Sequence, residues 1–205
     1  MPLLQQVVFF TTVAHLRDLP TDAVAEVAFA GRSNAGKSSA INTLAGRVRL
    51  AFVSKTPGRT QHLNYFTVAP GKYLVDLPGY GFAKTPEAIQ GQWGKLLVPY
   101  LEGRAPLKGL LIIMDCRHPM TELDCRMLNW FAPTGRPLHV LLSKADKLSR
   151  QAQNAALAKV RAALQPLGAQ CSAQLFSSLK KTGVAECESV LARWLELVPR
   201  DDSAS

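Results

Sequence analysis

Gly31-Arg32-Ser33-Asn34-Ala35-Gly36-Lys37-Ser38 reads GRSNAGKS and fits the pattern G-x-x-x-x-G-K-[ST]. Its reading decides the fold, because the pattern works only between a strand and a helix. An apolar run at residues 27–30 (VAFA) precedes it, and residues 38–44 (SSAINTL) suit a helix. The two glycines let the backbone curl until successive N–H groups face a phosphate. Lys37 would neutralise β- and γ-phosphates, and the Ser38 hydroxyl would coordinate Mg²⁺. The helix N-terminus adds the positive end of its dipole to the same anion. A glycine turn with an incidental lysine is the plainer alternative, and the placement between strand and helix weighs against it.

Outward from this loop, strands and helices alternate. Residues 1–25 read as a lead-in that turns at Pro20 and Asp22. Residues 47–60 contain Ser54, Thr56, Pro57 and Gly58 and predict a loop. Residues 62–68 (HLNYFTV) and 72–75 (KYLV), joined at Pro70-Gly71, predict an antiparallel pair. A break at Pro78-Gly79-Tyr80-Gly81 leads to a helix over about residues 87–101. Further strands are predicted at 109–115, 138–142 and 171–176, and further helices at 122–131, 149–164 (capped by Ser149) and 185–198. The late strands are unbroken apolar runs, the pattern of a parallel sheet with helices on both faces. The fold class is α/β, with one domain over residues 26–199 and a frayed tail at 200–205.

The 205 residues suffice for a core that folds without staples. Cys116, Cys125, Cys171 and Cys187 form no C-x-x-C pair, so they read as buried thiols of a reducing cytoplasm and not as zinc ligands. No run reaches the length of a membrane span, and the N-terminus lacks a basic region, so a cytoplasmic protein with no membrane partner is expected. Lys and Arg number 24 against 15 Asp and Glu, a net charge of +9. That excess concerns partners and not fold. Attraction to RNA phosphates explains it, and so does a solvated cationic surface; on charge alone both stay open.

Two later motifs choose the base. Asp76-Leu77-Pro78-Gly79 fits D-x-P-G, in which the aspartate holds Mg²⁺ through water and the Gly79 N–H reaches the γ-phosphate. Ser143-Lys144-Ala145-Asp146 follows an apolar strand and resembles [NT]-K-x-D. Guanine presents N1–H and the N2 amine on one edge, and a single carboxylate can accept both. Adenine lacks that pair, and a mismatch that strands buried polar groups is heavily penalised. Asp146 therefore sets specificity, while the Lys144 stem covers the base face. Ser143 stands where Asn or Thr is usual and lacks the reach of an amide, so modest affinity with specificity intact is expected. Phe176-Ser177-Ser178 lies after the last strand and matches the weak S-A-[KL] loop, whose backbone N–H meets guanine O6.

These elements, in this order, and the stretches VAFAGRSNAGKSS, TPGRTQHLNYF, VDLPGYGFAK, WGKLL and LLSKADKL resemble the bacterial EngB family of small GTPases. The resemblance implies a Ras-like P-loop GTPase fold with a six-stranded, mostly parallel sheet in which one strand is antiparallel. It implies GTP and GDP as ligands, Mg²⁺ positions at Ser38 and Thr60, and a first switch formed by Gly58, Arg59, Thr60, Gln61 and His62. It also implies a role in assembly of the large ribosomal subunit, through rRNA or ribosomal protein, and in normal division and septation. A monomer is expected.

In Ras-type GTPases a glutamine follows D-x-x-G and orients the attacking water. Tyr80 stands there in this chain, so slow intrinsic hydrolysis is expected. The catalytic assignments are Lys37, Thr60 and Asn34. Asn34 corresponds to the asparagine that holds K⁺ in potassium-activated GTPases, an ion that supplies transition-state charge. A P-loop kinase for a small molecule is a competing reading, and it leaves SKAD unexplained. A switch acting on a division protein, with no ribosome role, is another.

Overall fold

Strands and helices follow one another as the apolar runs dictate: β1 (Val8–Val13), β2 (Ala25–Gly31), α1 (Lys37–Leu44), β3 (Leu63–Ala69), β4 (Lys72–Asp76), α2 (Gln92–Gly103), β5 (Leu107–Asp115), α3 (Glu122–Phe131), β6 (Leu138–Ser143), α4 (Arg150–Leu164), β7 (Cys171–Leu175) and α5 (Val184–Trp194). The computed structural model describes residues 4, 6–51, 62–80 and 92–197. Ser149 caps α4 by accepting from the Ala152 N–H, as its sequence position predicts. The described part of α2 starts at Gln92, and the earlier start near residue 87 lies outside the described residues.

The sheet has seven strands in the order β1-β3-β4-β2-β5-β6-β7. β2, β4, β5, β6 and β7 are mutually parallel, and β3 runs antiparallel to both β4 and β1. The single reversed strand agrees with expectation; the count of six does not. The extra strand, β1, comes from the segment read as a lead-in. It sits at the sheet edge with Val8, Phe9 and Phe10 each about half exposed, at 50%, 53% and 50%. An edge strand packed loosely on both sides shows no clean alternation of apolar and polar residues, so periodicity does not reveal it. Phe9 meets Phe66 edge-on at 6.0 Å and Phe10 meets Tyr73 at 5.3 Å, one ring on each side of the sheet.

Alternation on the central strands builds two cores. Ala28, Ala30, Leu110, Ile112 and Met114 face a layer covered by α2, α3 and α4. Val27, Phe29, Leu111 and Ile113 face the opposite layer, covered by α1 and α5. All seven residues of β2 are buried, as in a strand roofed on both faces. Two of the four cysteines, Cys116 and Cys187, are buried, while Cys125 and Cys171 are only partly so. No helix among the described residues is long and apolar enough to cross a membrane.

A charge lies deep inside this frame. Glu26, at the start of β2, is fully buried and takes Arg104, the residue after α2, through bonds of 2.6 and 3.0 Å to one oxygen. The Tyr100 and Tyr65 hydroxyls donate to the other oxygen at 2.9 and 3.2 Å. Burial and the neighbouring Glu26 carboxylate push both phenols up, so they remain donors. Every Glu26 oxygen is thus satisfied, the condition on which a buried charge is tolerable. The network fixes β2, β3 and α2 at the end of the sheet opposite their loops. It also removes Arg104 from any cationic surface.

Candidate functional site

A parallel sheet presents the carboxyl ends of its strands together, and ligands of such sheets bind there. Here those ends are Gly31 of β2, Asp76 of β4, Asp115 of β5 and Ser143 of β6, with Phe176 just beyond β7. The structure therefore brings the four quoted motifs to one edge. Of the predicted first switch, Gly58, Arg59, Thr60 and Gln61 lie outside the described residues; His62 is half-buried, immediately before β3.

The loop 31–38 curls as its glycines allow. Gly36 has φ +99°, and Asn34 takes the left-handed region at φ +63°, which an asparagine tolerates better than most residues. Ala35 N–H bonds back to the Arg32 carbonyl at 3.0 Å. Ala35 is buried, while Ser33 and Asn34 are exposed and Arg32, Lys37 and Ser38 are intermediate. Lys37, the first residue of α1, makes a direct ion pair with Asp76 at the end of β4. Leu77 and Pro78 are buried, and the Leu77 N–H bonds to the Phe29 carbonyl at 3.0 Å, fastening β4's exit to the strand that feeds the loop.

The second half of the site is fastened to the first. Ser143 Oγ lies 2.5 Å from the Ala35 carbonyl oxygen and 3.1 Å from that of Met114, and its one proton serves the nearer. Ser143 thus reaches the glycine loop with a short side chain. It does so because β6 runs close to Gly36, where an added Cβ would sit 3.4 Å from Ser143 Oγ. Lys144, at φ +57°, folds over to donate to the Asn34 carbonyl at 2.7 Å and to Asp115 Oδ2 at 3.0 Å. Its stem therefore lies across the mouth of the site.

Asp146 follows in a short turn, with its carboxylate 9% exposed. Ser177 Oγ donates to Asp146 Oδ1 at 2.6 Å and accepts from the Lys180 N–H at 3.0 Å. Ala145 N–H bonds to the Phe176 carbonyl at 3.1 Å, so the two base loops are tied by main chain as well as side chain. Phe176 and Ser177 are fully buried and Ser178 is intermediate.

Asp115 was absent from the sequence-predicted set. It ends β5 and is nearly buried, accepting from Arg117 Nη2 at 2.7 Å, Arg117 Nε at 3.0 Å, Arg117 N–H at 3.0 Å and Lys144. Burial alone would raise its pKa; the bonds from Arg117 and Lys144 outweigh that and hold the carboxyl far below the usual carboxylate range. A carboxylate closing an apolar strand was the visible signal. Its two cationic partners could not be read from that position.

Tyr80 points inward. It is only 5% exposed, and its hydroxyl donates to Asp124 of α3 at 2.9 Å. Burial, reinforced by the Asp124 carboxylate, pushes the phenol well above its ordinary pKa. Its hydroxyl is thus held as a neutral donor to Asp124.

Oxygen donors dominate the site: the Ser38 hydroxyl, the Asp76 carboxylate and backbone carbonyls. Such a set suits a hard divalent cation. Among the described residues no group of three or more His, Cys, Asp or Glu could hold a metal by itself.

A family model described as 50S ribosome-binding GTPase matches residues 26–144. The chain is 69% identical over 199 residues to a probable GTP-binding protein EngB of Dechloromonas aromatica, covering 96% of this chain and 90% of that one. It is 57% identical over 202 residues to the protein of the same description from Methylobacillus flagellatus, covering 98% and 97%. Among solved structures, a probable GTP-binding protein engB superposes with TM-score 0.65 at 19% identity, covering 84% of this chain and 99% of that one. A variant of Aquifex aeolicus Era bound to GDP and AlF4⁻ gives TM-score 0.66 at 21% identity over 87% of this chain and 60% of that one. These two likenesses establish the fold.

Ser177→Ala deletes a hydrogen bond to a carboxylate and leaves Asp146 free to rotate. We expect GDP affinity to fall about ten-fold, the weight of one charge-assisted bond, with little change in melting temperature. Titration of a fluorescent GDP analogue checks this; unchanged affinity would show that Asp146 needs no such support.

Proposed function

The chain belongs to the EngB family of GTP-binding proteins, and from that premise we propose that it is a guanine-nucleotide switch that hydrolyses GTP and acts in assembly of the large ribosomal subunit. One observation carries the nucleotide reading: Lys144 and Ser143 tie the base-recognition turn directly to the glycine loop. In that arrangement Asp146 accepts N1–H and N2–H of guanine while backbone N–H groups of residues 31–38 take the phosphates. Lys37 leaves Asp76 to meet the β- and γ-phosphates. The Gly79 N–H receives the γ-phosphate. Ser38 and Thr60 would hold Mg²⁺, with Asp76 reaching it through water, and the ion would supply charge neutralisation at the phosphates.

Hydrolysis is slow without a partner, because the side chain at the water-orienting position is buried against Asp124. Asn34 keeps its side chain exposed at the loop mouth while its carbonyl is held by Lys144. It is the residue that serves a monovalent cation in this reading. The ribosome reading is supported by the description of the matching family model and by the net charge of +9. Normal division and septation belong to the same reading, through the family resemblance.

Asp146→Asn turns one of the two acceptors on the base-reading edge into a donor. It should lower GDP affinity at least about a hundred-fold and raise that for xanthosine diphosphate, whose carbonyl replaces the N2 amine; calorimetry with both diphosphates and ADP reads the outcome. Retained preference for GDP in the variant would remove Asp146 from base recognition. Cosedimentation with 50S particles should be several-fold stronger with a non-hydrolysable GTP analogue than with GDP, and equal sedimentation would leave a division-protein partner as the better reading. Single-turnover hydrolysis should be faster in K⁺ than in Na⁺ buffers by about ten-fold or more; equal rates would leave Asn34 with a structural role only.

A further inference from the structure

Asp124 is fully buried, yet it belongs to neither the glycine loop nor the base loops. It is the third residue of α3, where Thr121 and Asp124 form a reciprocal capping box. Oδ2 accepts the Thr121 N–H at 3.0 Å and the Thr121 hydroxyl at 2.8 Å. Capping occupies that one oxygen. Oδ1 is spent across the structure, accepting the Tyr80 hydroxyl at 2.9 Å and Arg32 Nε at 3.3 Å. Arg32 also donates to the His118 carbonyl at 3.3 Å, so its guanidinium is clamped to the approach of the same helix.

The two partners lie on the two segments that meet phosphate. Arg32 is the second residue of the glycine loop, and Tyr80 directly follows Gly79. Their backbones also pair: Arg32 and Tyr80 form an isolated parallel bridge, and the Tyr80 N–H bonds to the Gly31 carbonyl at 3.2 Å. Between these anchors, Gly79 is pressed onto the loop so closely that a Cβ would sit 3.2 Å from Ser33 Oγ and 3.5 Å from Ser33 N. A charged acceptor with no solvent access holds its donors far more firmly than an exposed one, because leaving it unpaired is costly.

We propose that Asp124 is a positioning residue: through Arg32 and Tyr80 it fixes Gly79 at the glycine loop, and so sets how strongly the protein distinguishes a nucleoside triphosphate from a diphosphate. The inference rests on the guanine-nucleotide reading above. Tyr80 acts in it as a tether and not as a group that touches the attacking water. The diphosphate never meets Gly79, so loosening the tether affects the triphosphate selectively. A merely structural Asp124 would affect both nucleotides alike.

The test uses the full chain with GDP and a non-hydrolysable GTP analogue, titrated against wild type, Tyr80→Phe and Asp124→Asn. Tyr80→Phe keeps the ring in its pocket and removes only the O–H. Affinity for the GTP analogue should fall about ten-fold, the worth of one bond to a charged group, while that for GDP changes less than about two-fold. Asp124→Asn removes the buried charge to which the Tyr80 hydroxyl and Arg32 donate and should shift the ratio in the same direction. If Asp124→Asn does not fold, Tyr80→Phe decides alone. A ratio unchanged in Tyr80→Phe, or shifted toward the GTP analogue, overturns the proposal. An ATP arm keeps the premises separate: wild type that binds ATP as tightly as GTP sinks the guanine reading, while the triphosphate-to-diphosphate ratio still judges the tether.

Discussion

The parallel alignment of β2, β4, β5, β6 and β7 is the constraint on which everything else depends. It delivers five loop starts to one edge of the sheet. Three aspartates at or near that edge are each paired with a cation from another element: Asp76 with Lys37, Asp115 with Lys144, and Asp124 with Arg32. Each pair crosses from one element or its loop to another, so the site is a set of mutually braced segments.

The same logic operates at the far end of the sheet. Glu26 gathers Arg104, Tyr100 and Tyr65, so β2, β3 and α2 are pinned where they leave the core. The glycine loop and the segment after β4 are consequently the extensions of rigid elements. Rigid roots and braced tips suit a protein that responds to one phosphate more or less, because a small change at the tip is not dissipated in the scaffold. Side-chain chemistry also explains the inward Tyr80. Its ring fills apolar space while its hydroxyl satisfies a buried carboxylate, a pairing that a glutamine would make less well.

Much of the fold was legible because it is written locally. The unbroken run GLLIIMD could only be a strand buried on both faces, and TELDCRMLNWF carries its own cap and apolar stripe. The strand at Val8–Val13 was not legible, since an edge strand that leaves Phe9 and Phe10 half exposed lacks a period. Of the site, the residues of GRSNAGKS, DLPG and SKAD stood out because glycines, a lysine and aspartates at fixed spacing answer the geometry of phosphate and guanine.

By itself the sequence determined the strands and helices other than β1, and which short motifs would carry phosphate and base chemistry, because both are set by residues within one or two turns of each other. Only the tertiary structure decided which charges would meet. Arg32 finds Asp124 across 92 positions, Arg104 finds Glu26 across 78, and Lys144 finds the Asn34 carbonyl across 110. Those encounters depend on how strands order themselves in the sheet. That order is set by the burial of whole faces, a property no local spacing contains.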